Sequence, residues 1–143
     1  MKKVASVLFL ILILCFATAC GDVTTDDSTP QSSSASSIWD NATYGENTTL
    51  GNGTTQIQVE IKAEDKSVTL TVNTDKTTLS QALLELNLIE GEGGLYTVVN
   101  GMTADWNIDK TYWSLSVDGV ISMVGADSVE LVNGGHYEWT KTK

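Results

Sequence analysis

Two stretches in the middle of the chain alternate apolar and polar residues with a period of two. In the first, Gln56–Ala63, every second residue from Ile57 to Ile61 is Ile or Val. The second, Val68–Val72, repeats this alternation after a short polar segment. A period of two is typical of a strand that buries one face, and the short connection predicts an antiparallel hairpin.

The apolar spacing then changes. From Leu79 to Leu86, leucine and alanine recur at three- and four-residue steps, which predicts an amphipathic helix. Thr78, followed three residues later by Gln81, is a capping-box signature for the start of this helix. The glycine-rich segment Glu90–Gly94 is expected to end it.

Further strand signals follow, separated by turn residues. Asn100-Gly101 and Asp118-Gly119 are typical of two-residue hairpin turns. The predicted strands are Leu95–Val99, Tyr112–Val117, Val120–Val124 and His136–Thr140, with a short piece at Val129–Val132. This order predicts an α+β fold, a β-grasp-like mixed sheet of about five strands with one helix on one face. A right-handed crossover is expected between the second and third predicted strands.

An apolar run also opens the chain. Two lysines precede Val4–Ala19, and small residues precede Cys20, which are the parts of a secretory signal. The run is shorter than the roughly 20 residues of a membrane-spanning helix. Ala17-Thr18-Ala19-Cys20 resembles the lipobox of bacterial lipoproteins, which implies cleavage before Cys20 and stable anchoring by acyl chains on that residue. An ordinary signal peptide followed by a chance cysteine is the alternative.

The segment after Cys20 is rich in Ser, Thr, Asp, Asn and Gly. Such a composition cannot bury enough apolar surface to offset the entropy of ordering, so it predicts a flexible tether. Trp39 and Tyr44 interrupt it, and their docking on the domain is the alternative to a solvent-exposed tether. The predicted organisation is a lipoprotein-type signal peptide over 1–19, acylated Cys20 and tether over 20–53, and one folded domain over 54–143.

The net charge of the chain argues against some classes of function. The formal net charge is −10, and all eight basic residues are lysines. Nucleic-acid binding depends on clustered Lys and Arg that neutralise phosphates, and this chain has no such cluster. An acidic protein is also repelled by anionic lipid headgroups, so attachment to a membrane would depend on the acyl anchor. The expected location is extracytoplasmic, at the cell surface.

Few residues suggest a catalytic or metal-binding site. His136 is the single histidine, and it follows a glycine turn where an exposed structural role is expected. Asp105 and Asp109 are a candidate carboxylate pair, although solvated loop acids are the simpler interpretation. Cys15 would leave with the signal peptide, so no cysteine nucleophile or disulfide is expected. The sequence therefore predicts a protein that is not an enzyme, with no metal site and no required cofactor.

The aromatic residues carry more information. Trp113 alternates with Leu115 and is expected in the core, whereas Tyr112 points to the opposite face. Met123 and Val124 follow on the return strand of the predicted hairpin. Apolar residues beyond the core mark surfaces where a flat apolar ligand can rest.

Five segments form a recognisable series along the chain: Thr78–Leu83, Asn100–Ala104, Thr111–Leu115, Val124–Asp127 and Asn133–Gly135. Together they resemble the C-terminal β-domain of transcobalamin and intrinsic factor and the related domain of many bacterial lipoproteins. The resemblance implies a β-grasp-like domain that, in the vitamin carriers, closes over one face of cobalamin together with a helical domain. Carried over by position, the implied ligand-binding residues are Tyr112, Trp113, Met123, Val124, Gly125, Ala126 and Asp127.

Two functions stay open at this point. One is a binding lipoprotein that captures cobalamin, another corrinoid or a related flat ligand, and passes it to a transporter or shares it with a helical partner domain. The other is a surface module that binds protein or glycan through an open sheet face. A concave apolar notch near Met123 would favour the first, and an exposed strip of aromatics without a cleft would favour the second.

Overall fold

Nine strands and one α-helix form the part of the chain that the computed structural model describes, residues 36–143. The helix, α1, is Leu79–Glu85, and Ile38–Asn41 and Ala126–Ser128 form short 3₁₀ helices. The strands are β1 Thr49–Leu50, β2 Thr55–Ala63, β3 Lys66–Thr74, β4 Ile89–Glu92, β5 Leu95–Val99, β6 Met102–Thr103, β7 Tyr112–Val117, β8 Val120–Ile121 and β9 His136–Thr142. The predicted signal peptide, Cys20 and the first part of the predicted tether lie outside the described residues.

The strands form two sheets. Six make one mixed sheet in the order β1-β3-β2-β9-β7-β8, and β4, β5 and β6 make a separate three-stranded sheet. The predicted β2–β3 hairpin is antiparallel, from Thr55 opposite Thr74 to Ala63 opposite Lys66. β9 runs parallel to β2 and antiparallel to β7. The predicted α+β class, with a mixed sheet and one helix, is confirmed.

One face of the large sheet is buried. The alternating apolar residues of β2 and β3 are at most 3% exposed, and Leu79 and Leu83 of the helix belong to the same cluster. Burial of such aliphatic side chains stabilises the fold by roughly 1.5–3 kcal/mol each. The seven-residue helix is too short to be stable alone, so its packing against this face maintains it.

Both predicted ends of the helix differ in detail from the structure. Thr78 is the N-cap residue, but its side chain makes no capping bond, and its Oγ1 is buried without a partner. The segment from Val129 meets this end instead, since the Leu79 amide donates to the Val129 carbonyl at 2.9 Å. The helix ends at Glu85, before the predicted Glu90–Gly94 segment, because Asn87 adopts a left-handed conformation with φ 51°.

Two predicted strands and the predicted crossover also need correction. The third predicted strand, β5, belongs to the small sheet, so no crossover joins it to β3 within one sheet. The segment Val129–Val132 makes a single bridge, between Thr78 and Glu130, and is not a strand. The predicted strand Val120–Val124 pairs only as far as Ile121.

The structure differs most from the prediction in residues 38–50, here called the strap. The Trp39 indole N–H donates to the Ala63 carbonyl at 2.9 Å, and Tyr44 packs against the core. β1 adds to the large sheet parallel to β3. The folded domain therefore starts before the predicted boundary at Thr54, because the aromatic residues that interrupt the polar segment bury part of their surface on the domain. Within the described residues, no helix has the length and apolarity needed to cross a bilayer.

Candidate functional site

A cleft of about 590 Å³ lies at the free edge of β7. β7 forms one wall, the small sheet contributes β5, and the chain that follows β8 completes the opposite side. β8 pairs with β7 only at Ser116 and Val117, so the first four residues of β7 have no outer strand in the described part of the chain. The cleft therefore occupies the place where a longer β8 would have continued the sheet.

The lining is aromatic, aliphatic and neutral. None of the described residues that line the cleft is charged, although the chain has a net charge of −10. Burial of apolar surface with a few placed polar groups is typical of small-molecule sites. The lining residues are Gly94, Leu95, Tyr96, Thr97, Ala104, Trp106, Thr111, Tyr112, Trp113, Ser114, Leu115, Ile121, Ser122, Val124, Gly125, Ala126, Trp139 and Thr142.

Backbone groups on the edge of β7 supply polar contacts. The Leu115 carbonyl accepts from the Ser122 amide at 2.8 Å, so the backbone of Leu115 faces the outer edge. Because successive residues of a strand direct their backbone groups to alternate sides, those of Trp113 face the same edge. A ligand in the cleft would meet one N–H donor and one carbonyl acceptor from Trp113 beside the aromatic rings.

Five of the seven sequence-predicted residues line this cleft, namely Tyr112, Trp113, Val124, Gly125 and Ala126. Tyr112 is 49% exposed, whereas Trp113 is 8% exposed and donates its indole N–H to the Met102 carbonyl at 3.3 Å. Met123 is 93% exposed and is not part of the lining.

The seventh residue, Asp127, does not line the cleft but contacts Tyr96, which does. Its Oδ1 accepts a hydrogen bond from the Tyr96 hydroxyl at 2.5 Å. Hydrogen bonds from Tyr96 and then Ser80 lower the pKa of Asp127 below its ordinary value of 3.8. Burial first, and then the neighbouring Asp127, raise the pKa of Tyr96. This cluster ties the Gly125–Ser128 segment to β5 and to α1.

This cluster should make stability depend on pH. A carboxylate whose pKa is lowered in the folded state stabilises the fold above its unfolded pKa, and this contribution is lost as the pH falls through the folded pKa. We expect Tyr96→Phe to lower the free energy of unfolding by about 1 kcal/mol near neutral pH, a small value because Asp127 is exposed. The difference should shrink below the ordinary Asp127 pKa of 3.8.

Urea denaturation near neutral pH and again at about pH 3 measures this difference. Tyr112→Phe, which alters an exposed hydroxyl, is the matched control. An equal loss for Tyr96→Phe at both pH values would contradict an ionic contribution from Asp127.

The remaining lining residues were not predicted as a site from the sequence. Tyr96 and Thr97 come from β5, Ala104 and Trp106 from the segment after β6, and Trp139 from β9. Tyr96 packs edge-on against Trp139, with ring centroids 6.0 Å apart. The Trp139 indole N–H is buried without a hydrogen-bond partner in the described residues. Only the aromatic character of Tyr96, Trp106 and Trp139 could have indicated part of this lining.

The open face of the large sheet is polar and carries an ion network. Lys62 lies between Glu60 and Glu138, and His136 Nε2 is 3.0 Å from a Glu60 oxygen. A hydrogen bond from Lys62 is the largest cause that lowers the pKa of Glu138, and the reciprocal contact raises the pKa of Lys62. Within the described residues, β2 and β9 present no exposed aromatic residue on this face, and Tyr112 of β7 lies at its edge.

The candidate pair Asp105 and Asp109 organises a loop. Asp105 Oδ1 accepts from the Asn107 amide at 2.7 Å, and Asp109 Oδ2 is 3.0 Å from Lys141 Nζ. The Thr111 hydroxyl, and then Lys141, hold the pKa of Asp109 well below its usual range. Over residues 36–143, no group of three or more His, Cys, Asp or Glu side chains is arranged to hold a metal ion.

Comparisons with known proteins extend this description. Residues 76–143 match the family model of a domain of unknown function, DUF4430. This match covers α1, the small sheet, β7, β8 and β9, and therefore every described wall of the cleft. No curated protein matches the chain.

Two solved structures are similar. One is a candidate metal-binding protein from Ruminococcus gnavus ATCC 29149, 24% identical with a TM-score of 0.59 over 63% of this chain and 98% of that chain. At this identity the likeness shows the fold alone. The other is haptocorrin in complex with Cbi, 24% identical with a TM-score of 0.45 over 66% of this chain and 26% of haptocorrin.

Proposed function

We propose that the protein is a non-enzymatic binding lipoprotein, anchored outside the cytoplasm through Cys20, which captures a flat, largely uncharged ligand in the cleft at the β7 edge. The single observation that carries this proposal is the neutral, aromatic lining of that cleft in a strongly acidic chain. A charged ligand would lose its hydration there without gaining a charged partner. A ligand with an apolar face and a few amide groups would not incur this cost.

The dimensions and the free backbone edge support a ligand with both apolar and amide character. A cleft of about 590 Å³ lies within the usual size range of small-molecule sites. Rings of Tyr112 and Trp106 offer stacking surface, and the Trp113 backbone offers one donor and one acceptor. A corrinoid, with a flat macrocycle and peripheral amides, has this character, and the sequence resemblance to the transcobalamin domain points to the same class.

The single domain would cover only one face of so large a ligand. The affinity should therefore be modest unless a helical partner or a transporter subunit covers the other face. The proposed role is capture near the membrane and transfer to a transporter, which a modest affinity and fast release would serve.

Titration of cobalamin and cobinamide into the purified full chain, followed by calorimetry, tests the proposal. We expect saturable binding that Tyr112→Ala weakens about tenfold, a loss of roughly 1.4 kcal/mol. Met123→Ala is the matched control: an exposed apolar residue that does not line the cleft, whose loss should change the affinity less than about twofold. The absence of saturable binding at high micromolar concentration would overturn the corrinoid assignment.

A further inference from the structure

The loop between β6 and β7 presents apolar side chains to solvent. Ile108 is 84% exposed and Trp106 is 56% exposed. Lys110 places its ammonium 5.6 Å from the centre of the Trp106 ring. Exposed Trp and Ile next to a lysine are the residues that proteins place at a membrane–water interface.

Hydrogen bonds hold this loop in shape. The Asp109 amide donates to the Asp105 carbonyl at 2.9 Å, and Asp105 Oδ1 accepts from the Asn107 amide. Asp109 in turn contacts Lys141 of β9 at 3.0 Å. The tip of the loop, Trp106–Ile108, is therefore an ordered turn. Trp106 and Ile108 are exposed in this defined conformation.

The strap enters the domain at the same end. We call the strap end the end of the large sheet where Ala63 pairs with Lys66 and Tyr112 pairs with Thr142. Trp39 bonds to Ala63 there, and Ile38 shares a surface cavity with Asp109 and Thr111. The chain that leads back to Cys20 thus leaves the domain next to the exposed loop.

Charge is distributed unevenly between this end and the rest of the domain. Five of the six lysines in the described residues lie at the strap end, namely Lys62, Lys66, Lys110, Lys141 and Lys143. Eight acids lie there as well, counting those in contact with Lys62 and the one that shares a cavity with Lys66: Asp40, Glu46, Glu60, Glu64, Asp65, Asp105, Asp109 and Glu138. Lys76 is the one lysine among the other seven described acids. The strap end is therefore less acidic than the rest of the domain, and an anionic bilayer would repel it less.

From these observations we propose that the strap end is a docking surface for the lipid bilayer, with the Trp106–Ile108 tip at the level of the headgroups. This inference rests on the proposed lipid anchor, which would hold the domain close enough for a small apolar tip to engage. Trp106 also lines the cleft, so docking places the mouth of the cleft against the membrane surface. Ligand captured there would lie beside any transporter in the same bilayer.

Fluorescence quenching in proteoliposomes tests this docking. The full chain, acylated on Cys20, is reconstituted into vesicles of phosphatidylcholine and phosphatidylglycerol whose acyl chains carry bromine, a short-range quencher of tryptophan. We expect quenching in the wild type that falls at least about twofold in Trp106→Phe and in Ile108→Ser. Ile108→Ser keeps all four tryptophans, so its loss of quenching reports the depth of the loop rather than the number of emitters.

Val132→Ser is the matched control, because Val132 is 65% exposed and precedes the turn that contacts Gln56, at the opposite end of the sheet. If both variants attach to the vesicles and the bromine quenches Ile108→Ser as strongly as Val132→Ser, the docking proposal is wrong while the anchor stands. Chains that remain in the aqueous phase would overturn the anchor and the docking together. Calorimetric titration of cobinamide into the detergent-solubilised chain, measured separately, reports the cleft independently of either outcome.

Discussion

Asn100→Ala is expected to lower the free energy of unfolding by about 3 kcal/mol, because one buried side chain fixes the strap to the domain. Asn100 is fully buried; its Oδ1 accepts from the Tyr44 amide at 2.8 Å, and its Nδ2 donates to the Tyr44 carbonyl at 2.9 Å. Alanine would leave both backbone groups of Tyr44 without these partners. It would also have to adopt a φ of 52°, which a residue with a plain Cβ disfavours.

Equilibrium denaturation in urea measures this loss, and Asn47→Ala separates its two causes. Asn47 has a similar φ of 61° but is exposed, so its replacement reports the conformational term with little change in buried hydrogen bonding. We expect about 1 kcal/mol for Asn47→Ala. A similar value for Asn100→Ala would show that the contact with Tyr44 does not stabilise the fold.

Thr97→Trp is expected to reduce the affinity of the cleft for cobinamide by at least about a hundredfold, with little change in stability. Thr97 is exposed on β5 and lines the cleft, so an indole at this position would fill the space that the ligand needs. The mutation adds bulk at the surface and removes no buried contact. The expected effect is larger than that of Tyr112→Ala, since it excludes the ligand instead of removing one contact.

Calorimetry detects this loss without the ambiguity that an added tryptophan brings to fluorescence. Thr103→Trp is the matched control, because Thr103 is exposed on the neighbouring strand β6 and does not line the cleft. Cobinamide binding to Thr97→Trp with wild-type affinity would show that the ligand site lies elsewhere on the domain.

The elements that the sequence predicted well are those with long regular periods. Strict alternation in β2 and β3 placed both strands to within about two residues, because a half-buried strand requires that pattern. Asn100-Gly101 and Asp118-Gly119 both adopt positive φ, as predicted for hairpin turns. In contrast, β1, β4 and β6 have two to four residues, too few to show a period.

The cleft was harder to predict, because it exists only where β8 ends after two residues. The apolar run Val120–Val124 indicates a full return strand, but the Ser122 hydroxyl donates to the Val124 carbonyl at 2.8 Å as the chain leaves the ladder. This local bond accompanies the loss of pairing beyond Ile121 and leaves the β7 edge open. The sequence marked Tyr112 on the β7 side and Val124–Ala126 on the opposite side, but not the part of the lining that the small sheet supplies.

The strap shows the limit of reasoning from composition. Residues 38–50 are mostly polar, and composition alone favours an unfolded segment. Their order depends on a few specific contacts, such as the Trp39 bond to Ala63 and the Asn100 bonds to Tyr44. The partners are distant in sequence, so no local pattern reveals them.

The position of β9 affects how the domain acquires its structure during synthesis. β9 follows every other described strand in sequence, yet it lies between β2 and β7 in the large sheet. Until ribosomes release His136–Thr142, β2 and β7 each lack a neighbour, and the central ladder cannot close. The large sheet therefore closes only after β9 has been translated.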